Sequence, residues 1–150
     1  MSKLDHAESR ECLALMEWAA KIKLGGYRLS DVLYHCPNGG RRSKIEAGIM
    51  KGEGVKAGQM DYHIPIARNG FASLYLEMKK PGAVPSEVKQ VQRDRTIIMR
   101  ECGNTVRFAR TWTMAAFIIC EYLGLPFSVN PSPGELEWED RVNALVEKQS

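Results

Sequence analysis

The sequence predicts an α/β domain in which a small mixed sheet carries helices on both faces. Three observations lead there. Segments that alternate with period two are interleaved with segments whose apolar residues recur near helical spacing. An Asn69-Gly70 pair joins two of the alternating segments, the signature of a tight hairpin. The chain has 150 residues, 44% apolar and 26% charged, enough for one domain with a real core.

The elements follow in order. Residues 5–23 predict a helix, with Leu13, Met16, Ala20 and Ile22 near helical spacing and Gly25-Gly26 as its stop. VLYHC (residues 32–36) predicts a short strand, ended by the Pro37-Asn38-Gly39-Gly40 turn. Residues 41–51 predict a second helix with Ile45, Ile49 and Met50 apolar, followed by the glycine-punctuated loop 52–58. MDYHIPIA (60–67) and residues 72–80 predict two strands, antiparallel neighbours across Arg68-Asn69-Gly70. Pro81-Gly82 opens a loop, and Ser86 is the expected cap of a helix running to about Cys102. Gly103-Asn104 closes it, TVRFAR (105–110) alternates as a fourth strand, and residues 113–123 predict a buried helix. Residues 126–134 are proline-rich and read as a linker. Residues 135–149 read as an amphipathic tail helix on Leu136, Val142, Leu145 and Val146. The expected division is a domain over 1–125 and a linker and tail over 126–150.

The net charge is +3, compatible with nucleic acid but no proof of it. Cys12, Cys36, Cys102 and Cys120 are scattered singly, which fits reduced thiols and excludes a clustered zinc motif. The first residues, MSKLDHAESRE, are polar, and no apolar run approaches the roughly 20 residues of a membrane span. The expectation is a cytoplasmic protein.

LYLEMKK (74–80) sets Glu77 and Lys79 on one strand face, opposite Leu76 and Met78. Antiparallel pairing brings Asp61, at the start of the preceding strand, beside them. Two carboxylates suit Mg²⁺ or Mn²⁺, and a neighbouring lysine suits phosphate and a nucleophilic water. The same residues also suit a cross-strand ion pair worth only about 0.2–1 kcal/mol.

The longer run of motifs is more specific: PNGGRRS (37–43), GVKAGQMD (54–61), LYLEMKKPG (74–82), Gln90 and Gln92, then CGNTV (102–106). From about Glu8 to Leu123 the chain resembles the VRR-NUC nucleases, a branch of the PD-(D/E)xK superfamily common in phages and prophages. The resemblance implies a restriction-endonuclease-like core. It implies Asp61 and Glu77 as metal-binding carboxylates, with the Met78 carbonyl as a third ligand, and Lys79 as the catalytic lysine. Gln92, with Gln90 as the neighbour it could be confused with, takes the place of the family's helix glutamine. Glu8 matches a first-helix glutamate close to the metal site. The chain departs from the pattern twice: Met60 stands where proline usually precedes the aspartate, and Cys12 where glutamine is frequent.

Arg41, Arg42, Lys44, Lys51 and Lys56 form a basic cluster, with Lys80, Lys89, Arg93 and Arg95 beyond it. Near a phosphodiester cleft these would contact DNA backbone. His63 shares a face with Asp61, whereas His35 reads as a core or supporting histidine. No sequence-reading module is present, so backbone and shape are the expected targets. The resemblance implies a homodimeric, structure-specific endonuclease resolving four-way (Holliday) junctions. Flaps, nicked duplex or ends are alternative substrates, and a non-catalytic DNA-binding protein of the same fold is the alternative class.

Overall fold

A computed structural model describes residues 6–37 and 43–148. Asn38, Gly39, Gly40, Arg41 and Arg42, named above as a turn and as DNA contacts, lie outside the described residues. The element order is α1 (Ala7–Ala19), α2 (Leu29–Val32), β1 (Tyr34–His35), α3 (Lys44–Gly52), β2 (Tyr62–Ile64), β3 (Leu74–Met78), a 3-10 turn (Pro85–Glu87), α4 (Gln90–Glu101), β4 (Thr105–Ala109), α5 (Trp112–Leu123) and α6 (Glu135–Glu147). One four-stranded sheet runs β1-β2-β3-β4; its first two pairings are antiparallel and β3–β4 is parallel.

The hairpin forms as the sequence predicts. Asn69 (φ 53°) and Gly70 (φ 82°) are both left-handed, and Arg68 and Phe71 exchange two backbone hydrogen bonds across them. The strands around it are shorter than the alternation suggested. Pro65 has no N–H to give, so β2 stops at Ile64.

Two other expectations change. Val32 ends a short helix rather than opening a strand. Asp31 Oδ2 accepts from the Arg28 backbone N–H at 2.7 Å, and Leu29 is fully buried. The helix expected from Ser86 begins at Gln90 instead. Val88 turns its side chain into the core, and Lys89 is extended (φ −68°, ψ 159°), which breaks the helical path.

Alternation splits β3 between two jobs. Leu74, Leu76 and Met78 enter a core with Leu15, Trp18 and Ala19 of α1 and the apolar length of α5. On the other face Val106 and Phe108 of β4 join Met60, Val88, Met99, Trp138, Val142 and Val146 in a second core under α4 and α6. The α6 helix is tied down by ion pairs. Arg107 Nε and Nη2 each donate to Glu139 at 2.8 Å, Phe108 N–H donates to the same carboxylate, and Arg110 forks onto Glu135 at 3.1 and 2.9 Å. Residues between α5 and α6 are held as well. Trp18 Nε1 donates to Ser128 Oγ at 2.9 Å, and Phe127 stacks on Phe117.

Among the described residues no helix is long and apolar enough to cross a membrane.

Candidate active site

A cleft of about 900 Å³ opens at the end of the sheet between α1 and the start of α4. Glu8, Asp61, Glu77, Lys79 and Gln92 all line it. Each arrives on a different support. Glu8 sits in the first turn of α1, Asp61 just before β2, Glu77 and Lys79 at the end of β3, and Gln92 in the first turn of α4.

The Glu77 carboxylate is 2% exposed, although it ends a strand. Its Oε1 accepts from Gln92 Nε2 at 2.6 Å and lies 3.4 Å from Lys79 Nζ. Its Oε2 is buried with no hydrogen-bond partner among the described residues. Gln92 Oε1 accepts from Lys79 Nζ at 3.0 Å and from the Lys89 backbone N–H at 2.9 Å. Two donors on one end and a carboxylate on the other fix which way this amide points. Gln90 turns elsewhere, donating to Asp94 and accepting from Arg93. Beside Glu77, Asp61 Oδ2 accepts from the Met78 backbone N–H at 2.8 Å.

Both acids are perturbed upward. Burial pushes the Glu77 carboxyl well above the ordinary glutamate range, and the adjacent Asp61 charge pushes the same way; Lys79 opposes them. Burial also raises Asp61, against the Met78 N–H. Two crowded carboxylates, one with an orphaned oxygen, are costly unless a cation joins them. The donor set therefore fits a hard divalent ion with water completing its shell. Among the described residues no group of three or more His, Cys, Asp or Glu side chains forms a cage.

The loop before Asp61 is held by contact. Gly58 has φ +76°, and a Cβ there would stand 2.5 Å from the Val91 carbonyl oxygen. Only glycine lets this loop pass the start of α4 so closely. Met60, in the position where the family pattern has proline, is fully buried in the second core, with Thr96 Oγ1 3.9 Å from its sulfur.

Several cleft residues lay outside the sequence-based set. His35, read as a core or supporting histidine, is exposed and lines the cleft, whereas His63 pairs with Tyr34 and Tyr75. Tyr62 and Cys12 meet in the cleft wall, and burial pushes the Cys12 thiol up to about 11, which keeps it protonated and inert. Gln59 also lines it, as does Lys89 of the basic set. A glutamine three residues after Lys89 is the one sequence signal that pointed to the true helix start. Lys44, Lys56 and Lys80 are all exposed, Lys56 beside a smaller pocket that Arg95 and Gln59 also line.

The architecture has a solved counterpart. A structure described as a VRR_NUC domain protein superposes with a TM-score of 0.69 at 28% identity, covering 88% of this chain and all of that one. The chain has the VRR-NUC fold. No protein-family model and no curated protein matches it. The VRR-NUC fold implies a nuclease-type function and, with it, a divalent metal and DNA as substrate. The polar ends of its β2–β3 hairpin and the first turn of α4 form the cleft described above.

Proposed function

We propose that this protein is a Mg²⁺- or Mn²⁺-dependent DNA endonuclease that cuts branched DNA, four-way junctions foremost, as a homodimer. The observation that carries the reading is the buried Glu77 carboxylate, whose Oε2 receives no donor from the described residues and which is crowded against Asp61 in a cleft they share with Lys79 and Gln92. A purely structural ion pair rarely leaves a carboxylate oxygen without a donor at 2% exposure.

Asp61, Glu77 and the Met78 carbonyl are the proposed ligands. They would hold a divalent cation, which when bound would polarise the phosphodiester and lower the cost of its developing negative charge. Lys79 Nζ, fixed by Gln92 and Glu77, donates to the scissile phosphate or to the attacking water. Gln92 keeps Lys79 in place: its Oε1 accepts a hydrogen bond from Lys79 Nζ while its Nε2 donates to Glu77. Glu8, across the cleft on α1, orders water on the attacking side. Water loses a proton to solvent as its oxygen bonds to phosphorus, the P–O bond to the leaving oxygen breaks, and that oxygen takes up a proton from solvent. Lys44, Lys56 and Lys80, with Arg41 and Arg42, supply contacts to the flanking phosphates. A two-fold dimer presents two such clefts to the two symmetric strands of a junction.

The test is cleavage of labelled four-way junction, flap, fork and plain duplex with Mg²⁺ and with Mn²⁺. The parent is expected to cut the junction best. Lys79→Ala and Asp61→Ala should bind it and lose about 10²-fold or more in rate. Variants that cut like the parent would overturn the site, and a preference for flaps would overturn the junction. Gel filtration reads the dimer.

A further inference from the structure

Three rings form a ladder on the same sheet face as Asp61 and Glu77. His63 of β2 and Tyr75 of β3 are register partners and stack with centroids 4.2 Å apart and planes 19° from parallel. Tyr34 of β1, register partner of His63, meets the imidazole edge-on at 5.4 Å and 85°. Its hydroxyl and His63 Nδ1 are 2.7 Å apart and share a hydrogen bond. Tyr75 is packed against the second core, whereas Tyr34 is 49% exposed at the sheet edge. The ladder thus climbs from the core to solvent, its last ring presented and its polar atom already satisfied.

Its place gives it meaning. Asp61 lies two residues before His63, and Glu77 two after Tyr75. The ring rung and the carboxylate rung are therefore neighbours on one face, about 7 Å apart along the strands. A base attached near a phosphate bound at the carboxylates falls within reach of that ladder. Helices α4 and α6 pack on this face over β4, at the opposite edge of the sheet from Tyr34.

We infer that Tyr34, seated on His63 and Tyr75, is a stacking platform for one unpaired nucleobase of the DNA, next to the phosphate held at Asp61 and Glu77. Aromatic stacking is indifferent to base identity, since every base has a π-face, but it requires a base that has left the helix. The platform would therefore read branching rather than sequence. The inference rests on the nuclease reading for the position of the phosphate.

The test uses branched DNA carrying an extrahelical 2-aminopurine at the branch point, and a fully paired duplex of the same length. In metal-free buffer the parent is expected to quench the 2-aminopurine. Tyr34→Phe, which keeps the ring, should quench equally. Tyr34→Ala should lose the quenching and about tenfold in affinity for the branched DNA, with duplex affinity unchanged. Circular dichroism confirms that each variant is folded. Unchanged quenching in Tyr34→Ala, or an equal loss on both DNAs, would overturn the platform. Parallel cleavage assays separate the two readings: a parent that cuts while Tyr34→Ala binds normally sinks the platform alone. A parent that quenches through Tyr34 yet cuts nothing sinks the nuclease alone.

Discussion

Gly58 and Val91 approach so closely that the smallest side chain would not fit between them. A Cβ on Gly58 would lie 2.5 Å from the Val91 carbonyl oxygen and 2.7 Å from its carbon. The contact ties the loop that delivers Asp61 to the turn of helix that delivers Gln92. Gly58→Ala is expected to cost about 2 kcal/mol or more, combining a positive φ with a backbone clash, and to lower cleavage through displaced carboxylates. Gly54→Ala is the control. Its φ is +101° but its Cβ would meet nothing within 4 Å, so only conformational strain of about 1 kcal/mol remains. Denaturant melts of both variants read the difference, and equal losses would mean the clash is relieved.

Met60 stands where the VRR-NUC resemblance leads one to expect proline, and it fills the second core. Met60→Pro restores the family pattern yet empties a fully buried site, so it should destabilise by about 2–5 kcal/mol. Met60→Leu keeps the volume and should cost less than about 1.5 kcal/mol. Thermal melts of the two variants decide the matter; a stabilised Met60→Pro would show that backbone rigidity outweighs packing here.

The buried Glu77 makes metal-free stability depend on pH. Its ordinary value is 4.5, and burial raises it well above that in the folded chain. Between those values the folded state holds a proton that the unfolded state has released, so stability falls as pH climbs through the window. Glu77→Gln removes this dependence. In EDTA the variant should melt with the parent near pH 4.5 and increasingly above it as pH rises. Added Mn²⁺ should lift the parent and leave the variant unmoved. A constant gap between the two across pH would contradict the buried charge.

Much of this was legible in advance, and the failures share a cause. The hairpin was readable because Asn69-Gly70 demands a particular backbone, and the burial of Leu74, Leu76 and Met78 followed from alternation alone. Glu77, Lys79 and Asp61 were drawn together by strand pairing. What escaped were features set by contacts distant in sequence. The start of α4 depends on Val88 entering a core completed by Trp138, fifty residues on. In the same way, Arg107 and Arg110 look like the polar face of a strand until Glu139 and Glu135 arrive to meet them. His35 stayed open between the core and a supporting place; β1 is only two residues long and sits at the sheet edge, so the ring turns to the cleft and the core is excluded.

The Arg107–Glu139 pair offers its own test. Glu139 is buried, so Arg107→Ala strands a carboxylate and should cost about 3–5 kcal/mol. Replacing both partners by Met and Leu should recover most of that loss. A double variant as unstable as the single would mean that the bond to Phe108 N–H, not the ion pair, dominates.

The anchoring of α6 also has a consequence in time. A chain is made from its first residue onward, and β4 with its Val106 and Phe108 wall precedes the helix that roofs it. As the chain is synthesised, the cleft residues Asp61, Glu77 and Gln92 are all present while that wall is still bare. Only when Trp138, Val142 and Val146 emerge does the second face close. The cleft is thus composed early but made rigid late, a schedule in which a nascent chain carries its acids and its lysine before it has a firm frame on which to hold them.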